Sequence, residues 1–162
     1  MTDHVSDILE QWRRVRPDLE VRPMGIVGRL SRLARDAEHK LDRNFARFGL
    51  DTVSFDLMAA LRRQASPYTL SPKTLQFEMM ISSGSTTYRI DRLEQRGLVV
   101  RQPDPDDRRG VQVRLTPAGL ALIDGAVASH VQLEADYLSA LSDTQQRQLE
   151  NLLTLLTQSQ GL

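Results

Sequence analysis

Three observations predict a mainly α-helical fold with one small β-hairpin. Apolar residues recur at helical spacing through most of the chain. Strand-like alternation is confined to a short stretch in which Val111, Val113 and Leu115 are separated by Gln112 and Arg114. Helix-start pairs (Ser71-Pro72, Thr116-Pro117) and glycine stops (Gly49, Gly97) cut the helical pattern into segments of ordinary length.

Val5, Ile8, Leu9, Trp12 and Val15 lie on one side of a first amphipathic helix, which ends before Pro17. A helix this short is marginal alone in water, so its apolar stripe needs a docking surface. Residues 17–23 read as a connector. A longer helix is predicted over 24–48, with Ile26, Val27, Leu30, Leu33, Ala34, Ala37, Leu41, Phe45 and Phe48 in period and Gly49 as its stop. Arg29, Arg32, Arg35, Lys40 and Arg43 cover its other sides. The next helix spans 52–63, with Phe55, Leu57, Met58 and Leu61 as core, and Ser66-Pro67 breaks the pattern.

Ser71 and Pro72 supply a cap and a proline at the first helical position, starting a helix to about Met80 with Leu75 and Met79 inward. A turn at Ile81-Ser82 leads to another short helix, capped by Ser82 or Ser83 and ended by Gly97. Two short helices joined this way form a helix-turn-helix. Thr86, Ile90 and Leu93 share a buried face of the second, while Ser85, Tyr88, Arg89, Arg92 and Arg96 fall largely on another. A polar, arginine-bearing helix face suits a DNA major groove.

Leu98 to Arg101 and Val111 to Leu115 pair as a hairpin around a loop from Pro103 to Gly110. Arginines at such a tip suit phosphates or a narrow minor groove, and a neighbouring aspartate can hold one of them in a fixed pose. The candidate DNA-binding set is therefore Ser83, Ser85, Thr87, Tyr88 and Arg92 on the helix, with Asp107, Arg108 and Arg109 on the hairpin. A further helix follows Thr116-Pro117, with Leu120, Ile123, Val127, Val131 and Leu138 on its apolar side. Ser142 or Asp143 starts the last, striped by Leu149, Leu152, Leu153 and Leu156.

Length and composition fit a soluble globular protein of 162 residues, 40% hydrophobic and 26% charged, which is one domain or one domain with extensions. Twenty-one basic and 21 acidic residues cancel, so bulk charge does not announce a nucleic-acid partner and local arrangement must carry that case. There is no cysteine, which excludes disulfides, thiolate metal sites and thiol-based peroxide sensing. No apolar run is long enough to span a membrane, and residues 1–11 do not read as a secretory signal, so a cytoplasmic location is expected. His4, His39 and His130 are scattered outside any metal-ligand spacing, and neither a nucleophile elbow nor a phosphate-binding glycine loop occurs. The chain is therefore expected not to be an enzyme, and no cofactor or metal is expected.

The stretch LEQRGLV (Leu93 to Val99), then Asp107-Arg108-Arg109, then Thr116 and Gly119 resembles the MarR family of winged helix-turn-helix repressors. The pattern extends over nearly the whole chain. Tyr88 departs from it, standing where the family often carries a polar or basic residue. The resemblance implies a winged helix-turn-helix that dimerises through its N- and C-terminal helices. It divides the chain into an extra N-terminal helix (1–17) and a MarR-like domain (24–162). Within that domain, 52–116 form the DNA-binding core, and 24–48 and 117–162 the dimerisation helices. A dimer places two reading helices about one DNA turn apart on a palindromic site. The implied partners are double-stranded DNA, a second copy of the chain and a small-molecule effector, with no membrane.

QWRRVRPDLEVRPMGIVGRL and FDLMAALRR are similar to the urate-responsive, PecS-like branch of that family. The branch's ligand quartet falls on Trp12, Asp56, Arg63 and Arg89. Asp56 and Arg63 lie about two helical turns apart and share a face. Trp12 suits stacking on a flat heterocycle, and Arg63 a bidentate grip on an anionic oxygen. Arg89 is expected to pair with Asp56 in one state and leave it in another. Plainer roles exist for each: core packing for Trp12, helix-end charge placement for Asp56 and Arg63, phosphate contact for Arg89. The function expected is a dimeric, DNA-binding repressor released from palindromic operator DNA by a small anionic or aromatic ligand, urate or a related purine. The alternatives are a regulator answering to a phenolic ligand, and a winged-helix protein-interaction module without DNA binding.

Overall fold

The computed structural model describes residues 3–79, 83–105, 107 and 110–161. The elements run α1 (His4–Val15), α2 (Arg22–Ala46), α3 (Thr52–Arg62), β1 (Thr69–Leu70), α4 (Pro72–Glu78), α5 (Ser83–Gln95), β2 (Val99–Pro103), β3 (Val111–Leu115), α6 (Pro117–Leu138) and α7 (Asp143–Ser159). The chain forms two compact units, residues 1–43 and 44–162.

In the first unit, Asp3 caps α1 by accepting the Ser6 N–H at 2.8 Å. Val5, Leu9 and Val21 form a small buried cluster. Arg29 of α2 forks onto Asp3 at 2.7 and 3.1 Å and onto the Ser6 hydroxyl at 2.8 Å, closing α1 against α2. The Arg29 hydrogen bond, then the Ser6 N–H, hold the Asp3 carboxyl down to about 2. α2 starts at Arg22, two residues earlier than the connector reading allows. Pro23 sits within its first turn, where a missing N–H costs nothing, and Glu20 accepts the Arg22 N–H at 2.9 Å.

In the second unit the core is made by Phe45, Leu50, Phe55, Leu57, Met58, Leu61, Leu75, Ile90, Leu93, Val99, Val113, Leu115 and Ile123. α2 stops at Ala46, so Phe48 falls outside it. Gly49 and Gly97 carry the positive φ values of 65° and 69° that end α2 and α5. Both ends close alike: Leu50 N–H donates to Phe45 at 3.1 Å, and Leu98 N–H donates to Leu93 at 2.9 Å. Ser71 caps α4, and Thr116 caps α6 by accepting the Gly119 N–H at 3.0 Å. Ser142 rather than Asp143 caps α7, in a reciprocal box with Gln145.

The expected two-stranded hairpin is a three-stranded antiparallel sheet in the order β1-β3-β2. β1 is only Thr69 and Leu70, too short for a period-two signal, and pairs Thr69 with Arg114 and Leu70 with Val113. β2 starts one residue later than expected and ends two residues further on, because Val99↔Leu115 through Pro103↔Val111 forms a continuous register. Gly119 crosses Leu98 so closely that a Cβ there would stand 1.9 Å from the Leu98 carbonyl oxygen.

Candidate nucleic-acid interface

α4 and α5 follow one another as the two helices of a helix-turn-helix, and β2–β3 make the wing behind them. The inner face of α5 is as expected: Thr86, Ile90 and Leu93 are buried. Burial of that face turns Thr87, Tyr88 and Arg92 outward, with Thr87 and Tyr88 exposed and Arg92 on the same side. Tyr88 is 56% exposed, an unusual display for an aromatic ring, with the Arg89 and Arg92 guanidinium carbons 5.9 and 6.0 Å from its centroid. Ser83 and Ser85 fall in the first turn of α5. Ser82, the alternative cap, lies outside the described residues, as do Arg108 and Arg109. Asp107 is exposed on the wing, where its carbonyl accepts the Gly110 N–H at 2.8 Å.

The arginine face is narrower than the helical spacing suggests. Arg96 donates to the Gly49 carbonyl at 2.7 Å, and Arg89 forms an ion pair with Asp51. Both therefore turn back onto their own unit, while Arg92 and Tyr88 stay exposed. Asp51 also caps α3, accepting the Ser54 N–H at 2.8 Å. The expected pairing of Arg89 with Asp56 belongs to one state of two; in this structure Arg89 is on Asp51, whose other oxygen caps α3. An aspartate directly before Thr52 is a cap signal in the sequence, but its long-range partner is not.

Of the four ligand candidates, Asp56, Arg63 and Arg89 belong to the second unit and Trp12 to the first. Trp12 is 39% exposed on α1. Arg63 is the residue after the last turn of α3 and pairs with Glu78 of α4 at 3.4 Å. Partial burial pushes the Asp56 carboxyl up, and the charges of Arg63 and His130 pull it back. His130, unassigned by sequence, lies against the stacked rings of Phe45 and Phe55, at 5.6 and 5.1 Å between centroids.

A further arginine, hidden at the end of an apolar run, joins β2 to α5. Arg101 of β2 reaches Asp91 at 2.5 Å and also pairs with Glu94, while its backbone N–H donates to Glu94 at 2.8 Å. Burial lowers its pKa, but the two carboxylates outweigh this and the guanidinium stays charged.

A helix-turn-helix with an exposed second helix and a β-wing defines a winged helix-turn-helix protein of the DNA-binding class. The MarR family profile matches residues 48–110, from the end of α2 to the tip of the wing. The chain is 44% identical to the HTH-type transcriptional regulator PecS of Dickeya dadantii, over 92% of this chain and 90% of that one. Apo MarR from E. coli superposes with a TM-score of 0.68 at 27% identity, covering 80% of this chain and 95% of that one. A mutant MarR from E. coli complexed with operator DNA has the same fold, with a TM-score of 0.69 at 24% identity over 90% and 96% of the two chains. The chain belongs to the MarR family and is a DNA-binding transcriptional regulator, not an enzyme. Among the described residues no helix is long and apolar enough to cross a membrane.

Proposed function

We propose that this protein is a dimeric repressor that reads palindromic operator DNA and is released by a small anionic, aromatic ligand of the urate or purine type. The observation that carries the DNA part is α5. Its inner face is fully committed to the core, so Thr87, Tyr88 and Arg92 face outward from a rigid support, as base-edge reading requires. Ser83 and Ser85 open the same helix, and Asp107, Arg108 and Arg109 extend the contact from the wing. The E. coli MarR mutant solved on operator DNA supports a duplex as partner for this fold.

The dimer is supported by uncovered apolar surface on the terminal helices. Ile26, Val27 and Leu33 of α2 are exposed, as are Leu149, Leu152, Leu153, Leu155 and Leu156 of α7. On that ground the terminal helices α2, α6 and α7 are the ones we assign to the two-fold interface.

The ligand part rests on Asp56 of α3 and Arg63 at its C-cap, an opposite charge close enough to act on the Asp56 carboxyl. Because Arg89 is anchored to the Asp51 cap of α3, a ligand that shifts α3 also shifts the reading helix.

A gel shift with DNA from upstream of the protein's own gene tests the first part. Replacing Arg108 with alanine weakens binding on every sequence and lowers the salt slope by about one, as loss of one phosphate contact requires. An unchanged affinity across the salt series removes Arg108 from the interface. Absence of any shift at modest salt favours the interaction-module alternative. Titrating urate, other purines and phenolic acids while following the single tryptophan, then repeating in the gel shift, tests the second part. The expected result is a urate-like compound that moves both signals, and a phenolic acid doing so instead selects that alternative.

A further inference from the structure

α5 carries two carboxylates one turn apart, Asp91 and Glu94, in the same helix as the outward Tyr88 and Arg92. Carboxylates on a DNA-reading helix oppose its approach to phosphates unless they are neutralised. Here both end on one guanidinium. Arg101 Nη2 donates to Asp91 at 2.5 Å, Nη1 donates to Glu94, and the Arg101 backbone N–H donates to the second Glu94 oxygen at 2.8 Å. The Arg101 side chain is only 29% exposed, and across the sheet its residue pairs with buried Val113. Arg101 is the third residue of β2, so these three bonds also tie the wing's first strand to α5 in a fixed register. A lysine has the charge but not the fork that spans two carboxylates.

We propose that Arg101 is a positioning residue for DNA binding: without touching the duplex it cancels Asp91 and Glu94 and locks the wing to the reading helix. This rests on the DNA-binding reading above. A residue acting through Asp91 and Glu94 must lose its importance when they are neutral, whereas a residue gripping phosphate keeps it.

The test is a double-mutant cycle on the full chain, with binding to one promoter duplex followed by fluorescence anisotropy and folding by thermal melting. The members are the native protein, Arg101→Gln, Asp91→Asn with Glu94→Gln, and all three together. In the native background Arg101→Gln is expected to weaken binding about tenfold or more, the scale of a lost charge-assisted hydrogen bond. In the neutralised background the same change is expected to cost less than about threefold, because the coupled pair is already gone. Equal losses in both backgrounds make Arg101 a direct DNA contact and overturn the proposal. A fall in melting temperature with unchanged DNA affinity makes it purely structural and also overturns it. Should Arg101→Gln fail to fold, Arg101→Lys replaces it in both backgrounds, with a smaller native loss expected and the same coupling required. If the native protein itself binds no duplex, the DNA-binding reading fails first. If it binds and the cycle shows no coupling, only the role of Arg101 falls.

Discussion

The DNA-reading core and the terminal helices are patterned alike but finished differently. α3 has 11 residues and buries Phe55, Leu57, Met58 and Leu61, all within one chain. α7 has 17 residues, an equally clear leucine stripe and no buried residue at all. α6 shows the contrast inside one helix: Ile123 and Ala126 are buried near its start, while Val131 and Leu138 are exposed further along. Amphipathic spacing shows that a face must be covered. It does not show which molecule covers it. The core is completed by its own chain, whereas in the proposed dimer a second copy covers the terminal stripes.

That contrast can be broken at both ends. The largest effect is expected at Gly119, where a side chain meets the backbone of Leu98 with nothing flexible to yield. Gly119→Val should cost about 3 kcal/mol or more and lower the melting temperature by roughly 6–12 °C or abolish folding. Leu57→Ala, at 0% exposure, should cost about 2–5 kcal/mol in denaturant unfolding, through lost burial and a cavity. The matching change on α7 should behave otherwise. Leu152→Glu with Leu156→Glu should leave the secondary structure intact but shift sedimentation from dimer to monomer and weaken operator binding. Unchanged dimerisation in that variant would reassign the stripe.

The smallest effect concerns α1. Asp3 is held at about 2, against 3.8 for an unperturbed carboxylate, so its contribution is present above the unperturbed value and lost as the pH falls through the lowered one. A carboxyl titration by NMR should find that low midpoint, and Arg29→Ala should return it towards 3.8. A normal midpoint in the native protein would mean that Asp3 and Arg29 are not paired in solution.

Much of the fold was legible because it is written in local signals. Ser71-Pro72 and Thr116-Pro117 act through a capping hydroxyl and a proline ring, Gly49 and Gly97 through a left-handed backbone, and each marks an observed helix end. The buried face of α5 followed from spacing alone. β1 was not legible, since two residues cannot show a period and its partner strand lies far along the chain. Long-range ion pairs were equally hidden. Arg89 and Asp51 lie 38 residues apart, so nothing local announces their pair. Arg101 was read as the end of an apolar run, although its partners Asp91 and Glu94 sit on the adjoining helix.

The central claim is that α5 and the wing of two copies grip one duplex. Sedimentation of the protein with a fluorescent duplex from upstream of its own gene, across a salt series, addresses it most directly. The account predicts a complex of two chains per duplex that weakens steeply with salt and is lost when Tyr88 and Arg92 are both replaced by alanine. A single chain per duplex, or an affinity indifferent to those two side chains, would contradict it.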